Sequence, residues 1–114
     1  MKTEKPKNRL HTEYYQNDQK KVEGNYKDGV KDGKWTEWFE NGQILKEKNY
    51  KDGVKDGEWI EWLFPPDDKI SSEDWKDGVK HGVFSYWNYG FPEFDNHTCF
   101  KDGKEVHWQE LFPD

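Results

Sequence analysis

The sequence predicts an all-β protein, an array of short repeats in which each unit is an antiparallel hairpin. Three observations lead to this fold class. A phrase of aromatic-Lys-Asp-Gly recurs along the chain, Gly is frequent while Ala is absent, and Trp, Tyr and Phe make up 18% of the 114 residues. Because Ala is the best helix former and Gly favours turns, this composition favours strands joined by turns. A few large aromatic side chains can build a small core in an otherwise polar chain.

The repeated phrase divides the chain into about four units. Copies begin at Tyr26, Tyr50, Trp75 and Phe100, at intervals of 24, 25 and 25 residues. Such a fixed period is typical of repeat architectures, whose terminal units are often degenerate because they face water. We therefore expect a polar N-terminal extension over residues 1–13 and a repeat domain over residues 14–114.

Each unit contains a first turn in the segment DGVKDG. Its Gly residues allow positive φ and its Asp side chains can bond nearby backbone, so we predict that all six residues form the loop of a hairpin. This register places an aromatic residue opposite a second aromatic residue nine positions later, and such cross-strand pairs stabilise sheets. The predicted pairs are Tyr26 with Trp35, Tyr50 with Trp59, and Trp75 with Phe84.

A second turn is predicted at Asn41-Gly42, a sequence that suits a two-residue type I′ turn. Phe39 would then lie opposite Ile44. Longer loops replace this turn in the later units, at Phe64–Lys69 and Asn88–Glu93. With this register one sheet face would form the core, and it would collect Val22, Gly24, Tyr26, Trp35, Phe39, Ile44, Tyr50, Trp59 and Leu63.

The opposite face is predicted to carry a ladder of Trp38, Trp62 and Trp87, in equivalent strands about 9.5 Å apart. One interpretation is structural, with these rings packing against side-chain stems or the N-terminal extension. The other is functional, since contiguous apolar patches often mark interfaces. In the functional interpretation the contact residues are Trp38, Trp62, Trp87, Tyr89, Glu37 and Glu61.

The segment from Glu23 to Trp35, EGNYKDGVKDGKW, resembles a MORN repeat, and its continuation TEWFENGQILKEKNYKDG is similar to the variant MORN repeat of bacteria. The resemblance covers roughly residues 14–110. It implies an elongated, twisted antiparallel meander of successive hairpins. It also implies that relatives act as antitoxin-like or immunity-like proteins, or as scaffolds. The chain departs from the pattern at Pro65-Pro66, His81 and Glu105-Val106, so only the structural Gly and aromatic positions carry over.

Charge and composition exclude several function classes. The net charge is −6 and the only Arg is Arg9, which disfavours nucleic-acid binding because Arg is the preferred group for phosphate and base-edge contacts. A single Cys, Cys99, cannot form an internal disulfide, and the N-terminus has no apolar signal-peptide region. No run of about 20 apolar residues predicts a membrane helix. We expect a cytoplasmic protein.

No motif predicts catalysis, a metal site or a cofactor. The four His residues lack the spacing of metal ligands, and no second Cys joins them. His97 and Cys99 would share one face of a strand, but no orienting Asn or Asp predicts a catalytic pair. We therefore expect a protein that is not an enzyme.

The sequence favours a non-enzymatic protein-binding module, in its most specific form a bacterial antitoxin or immunity protein that binds and blocks a toxin. The acidic charge favours a basic partner. The first alternative is a scaffold that self-associates as a homodimer through the same face or an edge strand. The second is membrane-surface binding through turn lysines, which are Lys27, Lys31, Lys51, Lys55, Lys76 and Lys80.

Overall fold

A computed structural model describes residues 7–63, 68–88 and 91–113. They form one antiparallel sheet of successive hairpins, which confirms the predicted fold class. The strands are β1 Arg9–Tyr14, β2 Lys20–Lys27, β3 Val30–Trp38, β4 Ile44–Lys51, β5 Val54–Lys55, β6 Gly57–Leu63, β7 Asp68–Lys76, β8 Val79–Lys80, β9 Gly82–Tyr86, β10 Asn96–Lys101 and β11 Lys104–Val106. A 3₁₀ turn spans Pro92–Phe94, and a short helix α1 spans Trp108–Leu111.

The strands pair in chain order, so the molecule is long and thin. The order is β1-β2-β3-β4-β6-β7-β9-β10-β11, with β5 paired to β4 and β8 to β7. The principal extents are 58 × 32 × 20 Å. The sheet begins at Arg9, so the expected boundary between residues 13 and 14 falls inside β1.

The first turn of each unit has two residues, so the prediction of a six-residue DGVKDG loop is wrong. Lys27 pairs with Val30, and Asp28 and Gly29 between them both have positive φ, 51° and 82°. Two left-handed residues in a two-residue hairpin loop define a type I′ turn, which matches the twist of the flanking strands. The same turn recurs at residues 52–53, 77–78 and 102–103.

The backbone register of the aromatic pairs differs from the prediction, although the predicted rings do meet. Tyr26 lies opposite Lys31, not Trp35. Gly33, with a φ of 80°, lies in a bulge of β3 that shifts the register with β2. The shift brings the Trp35 side chain next to that of Tyr26. The Tyr26 and Trp35 rings then meet edge to face at 5.0 Å. Equivalent contacts join Tyr50 with Trp59 at 5.2 Å and Trp75 with Phe84 at 5.3 Å.

The core is a row of aromatic side chains on one face of the sheet, here called the core face. Trp35 and Phe84 are only 3% and 2% exposed. Trp35 lies flat on Gly24, where an added Cβ would stand 2.1 Å from the indole, and its Nε1 donates to the carbonyl of Asn25 at 3.0 Å. Gly24 therefore creates the space that the buried Trp requires.

Lysine side chains fill the gaps between the rings of neighbouring units. The ammonium of Lys31 lies 4.6 Å from the centre of the Trp35 ring and 5.3 Å from that of Tyr50. Lys55 lies 4.2 Å from both Trp59 and Trp75. Such cation–π contacts contribute about 0.5–1 kcal/mol each at exposed sites, so the row continues across unit boundaries.

The type I′ turns are also tied to one another along one edge of the sheet, here called the turn edge. The Gly53 N–H donates to the carbonyl of Lys31 at 2.9 Å, and the Asp52 N–H donates to Oδ1 of Asp32 at 3.1 Å. The second Asp of each DGVKDG segment thus accepts a hydrogen bond from the next unit. Asn8, Asp56 and His81 take the equivalent place in the other units.

The other edge of the sheet, here called the stripe edge, carries the remaining connections. The Phe39 N–H donates to the Gln43 carbonyl at 2.8 Å, and the Gly42 N–H donates to the Phe39 carbonyl at 3.0 Å. In this loop Gly42 has a positive φ, 89°, while Asn41 does not. The predicted type I′ turn is therefore wrong, and a three-residue loop that ends in a left-handed Gly replaces it.

Ile44 was predicted to lie opposite Phe39 on the core face, and this prediction is wrong. Ile44 pairs with Trp38, while Lys46 pairs with Glu37, so Leu45 bulges out of the ladder. The bulge shifts the register by one residue and turns Ile44 to the other face. The side chain of Leu63, also predicted in the core, lies outside the described part of the chain.

Candidate protein-binding face

The structure brings three of the predicted contact residues to one face, here called the stripe face, opposite the core face. Trp38 ends β3, Trp62 lies near the end of β6, and Trp87 follows β9. All three are partly buried and lie toward the stripe edge. Since one intervening strand separates each pair of these strands, successive Trp positions repeat about every 9.5 Å.

A fourth aromatic residue, Tyr14, belongs to the same row and was missed in the sequence. It ends β1 immediately before the turn closed by Tyr15 and Gln19, as Trp38 ends β3 before the turn closed by Phe39 and Gln43. Tyr14 is 60% exposed. A shift of one repeat period from Trp38 would have identified it. Tyr14, Trp38, Trp62 and Trp87 are called the aromatic stripe below.

Aliphatic side chains lie between the aromatic positions of the stripe. Ile44 pairs with Trp38 across β3 and β4, and Ile60 lies two residues before Trp62 on the same face. Both are partly buried. The stripe face therefore carries a band of aromatic and aliphatic surface, with gaps of one strand between its largest rings.

Polar side chains contact two rings of the stripe, Trp38 and Trp87. The Lys20 ammonium lies 5.9 Å from the centre of the Trp38 ring and 3.0 Å from a carboxylate oxygen of Glu23. Hydrogen bonds from Lys20 and then Thr12 lower the pKa of Glu23, so it stays ionised at neutral pH. At the last position of the stripe, the Trp87 ring packs edge to face on His97, with ring centroids 5.8 Å apart. The indoles of Trp38 and Trp87 are thus held by these neighbours before any partner binds.

The two predicted acidic contact residues lie on the core face, away from the stripe. Glu37 and Glu61 each precede a stripe Trp, and successive side chains of a strand point to opposite faces. Glu37 pairs with Lys48 at 2.7 Å and Glu61 with Lys46 at 3.8 Å. The remaining predicted contact residue, Tyr89, lies outside the described residues.

Glu23 and Glu47 are among the carboxylates that lie on the stripe face. Glu47 pairs with Lys34 at 3.3 Å, and Lys34 is the more exposed member, with 57% of its side chain accessible. Both carboxylates have a lysine neighbour, so the polar surroundings of the stripe are mixed in sign. A partner would therefore meet apolar anchors first and paired charges around them.

His97 and Cys99 share the stripe face, as the sequence predicts, but His97 is engaged by another side chain. Its Nδ1 lies 2.7 Å from Oγ of Ser85, a residue only 6% exposed. The imidazole thus satisfies a buried hydroxyl. Among the described residues no group of three His, Cys, Asp or Glu side chains could hold a metal ion.

On the core face, Tyr86 and Glu73 form a short hydrogen bond of 2.6 Å. Partial burial, and then the hydrogen bond and charge of Glu73, raise the pKa of Tyr86 to about 12. The phenol is therefore a neutral donor through the physiological range. This pair fixes β7 to β9 and presents no nucleophile.

The lysines of the turn edge fall into two groups. Lys31, Lys55 and Lys80 place their ammonium groups over aromatic rings. Lys27, Lys51 and Lys76 are exposed beside the Asp of each turn. No helix within the described ranges is long and apolar enough to cross a membrane.

Comparison with known proteins identifies the repeat type in the first half of the chain. The family model described as MORN repeat variant matches residues 10–28 and 31–52, which contain β1 with β2 and β3 with β4. No curated protein and no solved structure matches the chain. The hydrogen bonds between turns recur beyond the matched segments, at Gly78 and Gly103. The array is thus a repeat scaffold whose later units keep the turn geometry of the first two.

Proposed function

We propose that this chain is a non-enzymatic protein-binding module that recognises a protein partner through its aromatic stripe. The observation that carries the proposal is the alignment of four aromatic side chains on one face. Within residues 7–63, 68–88 and 91–113 all strands belong to one sheet, so no second sheet packs on that face. Contiguous apolar surface of this kind is typical of interfaces, and Trp and Tyr are the commonest anchors in them.

The geometry of the stripe favours a protein over a small molecule. Its anchors repeat about every 9.5 Å across alternate strands, so a matching ligand must extend over several strands. The indoles are partly buried and supported by Lys20 and His97. Binding would therefore immobilise few side chains, which reduces the entropic cost of association.

In its most specific form the proposal is a bacterial antitoxin or immunity protein that works in the cytoplasm and blocks a toxin by occlusion. This form is motivated by the resemblance of the repeat to the variant found in bacteria, and the net charge of −6 favours a basic partner by increasing the rate of encounter. Occlusion requires only a large contact surface and no catalytic group. It is compatible with the engaged state of His97 and Ser85.

Membrane-surface binding is the weaker alternative. Of the six predicted turn lysines, Lys31, Lys55 and Lys80 place their ammonium groups over aromatic rings. The other three lie beside Asp residues, so the charge of these turns is nearly balanced. We expect no binding to vesicles of anionic lipid. Salt-sensitive binding to such vesicles, lost when Lys27, Lys51 and Lys76 are changed to Ala, would support this alternative instead.

The test is to capture partners from the native cell with the wild-type protein and with two variants. Trp38→Ala/Trp62→Ala removes the middle of the stripe, whereas Lys51→Ala/Lys76→Ala changes the exposed turn edge and serves as the control. A captured protein is then purified, and its affinity for all three forms is measured by calorimetry. We expect the stripe variant to bind at least 10-fold more weakly and the control to bind as the wild type does.

Unchanged affinity in a folded stripe variant would contradict the proposal. The specific form has its own test, because the neighbouring gene can be expressed with and without this chain. If its product stops growth and the chain restores it, the antitoxin form is supported. If the product of the neighbouring gene does not stop growth, the antitoxin form is contradicted, while the proposal of a binding module stands.

A further inference from the structure

The first strand of the sheet has an outer edge to which no strand of the described chain is paired. β1 is the repeat counterpart of β3. The carbonyl of Lys7 accepts from Gly29 just as that of Lys31 accepts from Gly53, and Tyr15 bonds Gln19 just as Phe39 bonds Gln43. The edge of β3 that faces β2 is covered, whereas the corresponding edge of β1 is open in the described chain.

This equivalence fixes which backbone groups of β1 point outward. In β3, Thr36 pairs with Glu23 of β2, and the Trp38 carbonyl accepts from the Tyr15 hydroxyl at 2.6 Å. The even-numbered residues of β3 thus direct their backbone groups toward β2. The counterparts one repeat earlier are Leu10, Thr12 and Tyr14. Their N–H and C=O groups form a row of donors and acceptors to which no described strand is paired, a template for another strand.

The exposed side chains of β1 match those of a second copy in one register. If Thr12 faces Thr12 of a second copy across a two-fold axis, Leu10 lies opposite Tyr14 of that copy, and the reverse pair forms as well. Leu10 and Tyr14 are 59% and 60% exposed, among the most exposed apolar side chains of the described residues. On the core face the same register sets His11 opposite Glu13, so the pair that is bonded within each chain at 2.8 Å can also form between the two chains.

The other end of the sheet lacks these features. β11 has only three residues, and Glu105 and Val106 stand where other units have the Lys and Asp that bind the next turn. Val106 offers no side-chain acceptor. Helix α1 follows directly and packs near β10. The edge at β11 is thus shorter than that at β1 and lacks the side-chain acceptor that links the other units.

We propose that β1 is a self-association edge, at which two copies join antiparallel through Leu10, Thr12 and Tyr14 into one continuous sheet. The symmetry closes after two copies, because the edge of β1 pairs with the same edge of the second copy. The proposal does not depend on the partner of the aromatic stripe. Tyr14 belongs to both surfaces, so the tests below leave Tyr14 unchanged.

Sedimentation equilibrium measures the association, with the chain raised to about 1 mM so that weak dimers are populated. Thr12→Pro removes the central outward N–H and no backbone bond to β2, but it also removes the hydroxyl that donates to Glu23. Thr12→Val, which loses the same hydroxyl but keeps the N–H, is therefore measured beside it and should dimerise like the wild type. We expect the wild type to dimerise and Thr12→Pro to raise the dimer dissociation constant at least 10-fold. Val30→Lys, at a site 41% exposed on the turn edge, is the control and should dimerise like the wild type.

Amide hydrogen exchange locates the contact. The amides of residues 10, 12 and 14 should exchange more slowly as the concentration rises, while those of 11 and 13, which face β2, should not depend on concentration. If Thr12→Pro fails to fold, Leu10→Lys decides in its place. A wild type that stays monomeric, a dimer unaffected by the folded edge variant, or concentration-dependent protection elsewhere would each overturn the proposal.

Discussion

The two long edges of the sheet differ in how closely their units repeat. On the turn edge four type I′ turns have the same backbone conformation and are linked by the same hydrogen bonds. On the stripe edge the connections vary, from a three-residue loop at residues 40–42 to a segment with a 3₁₀ turn at Pro92–Phe94. The comparison indicates that one edge holds the units together and leaves the other free to vary.

The division has a physical basis in where the aromatic rings lie. The buried rings of the core face contact the turn lysines in three successive units, and Trp35 also packs on Gly24. The stripe rings contact different neighbours, such as Lys20 at Trp38 and His97 at Trp87. Stability should therefore be sensitive to changes near the turn edge and tolerant of changes in the stripe.

The largest expected effect is at Trp35, because it is 3% exposed and also donates a hydrogen bond to Asn25. Trp35→Ala should lower the free energy of unfolding by about 3–5 kcal/mol in urea titrations. Trp35→Phe keeps most of the ring but loses the donor, and should cost clearly less. Equal losses for the two variants would mean that ring packing on Gly24 does not stabilise this edge.

Gly24→Ala should be the next most damaging change, with a loss of about 2–3 kcal/mol, because the new Cβ would stand 2.1 Å from the Trp35 indole. Gly29→Ala is the matched control. Its Cβ meets no atom within 4 Å, but its φ of 82° strains an L residue by about 1–2 kcal/mol. Thermal and urea unfolding should rank Gly24→Ala as the worse. The reverse order would show that backbone strain in the turn costs more than the clash of the new Cβ with Trp35.

Asp32→Ala should cost about 1 kcal/mol, because the Asp52 N–H of the next unit loses its acceptor. Asp32→Asn should be nearly neutral, since an amide oxygen can accept the same bond and Asn8 already does so for Asp28. Urea unfolding of the two variants distinguishes the bond from the charge. If Asn costs as much as Ala, the link between units is electrostatic.

The smallest effect concerns the pH dependence of Tyr86. Its pKa is raised to about 12, so its contribution to stability is complete below the ordinary value near 10 and is lost as the pH rises through about 12. Glu73→Gln removes the carboxylate that disfavours the phenolate, and should move the Tyr86 titration toward lower pH. An NMR titration of the Tyr ring carbons measures this shift. An unchanged midpoint would assign the raised pKa to burial alone.

Much of the fold follows from the sequence, because the Asp-Gly pairs and the aromatic spacing are local signals with a fixed period. The sequence could not show which Asp-Gly pair of DGVKDG closes the hairpin, since both carry the same turn chemistry. Contacts distant in sequence decide it, namely Trp35 on Gly24 and Asp32 on the next turn. The bulge at Leu45 is likewise not encoded in the alternation of apolar residues.

The candidate site was partly predictable for similar reasons. The shared face of the stripe Trp residues follows from the repeat. Glu37 and Glu61 were placed beside them although strand alternation directs adjacent residues to opposite faces. Tyr14 was missed because the truncated first unit lacks the Lys-Asp-Gly phrase that marks the others.

The most direct test compares the same change at two positions of β3, Trp35→Ala and Trp38→Ala, by equilibrium urea unfolding. The two residues lie three apart on one strand but on opposite faces. We predict a loss of about 3–5 kcal/mol for Trp35→Ala and about 1 kcal/mol for Trp38→Ala. Equal losses would contradict the account, because the stripe would then be as much a part of the folded core as the aromatic row on the core face.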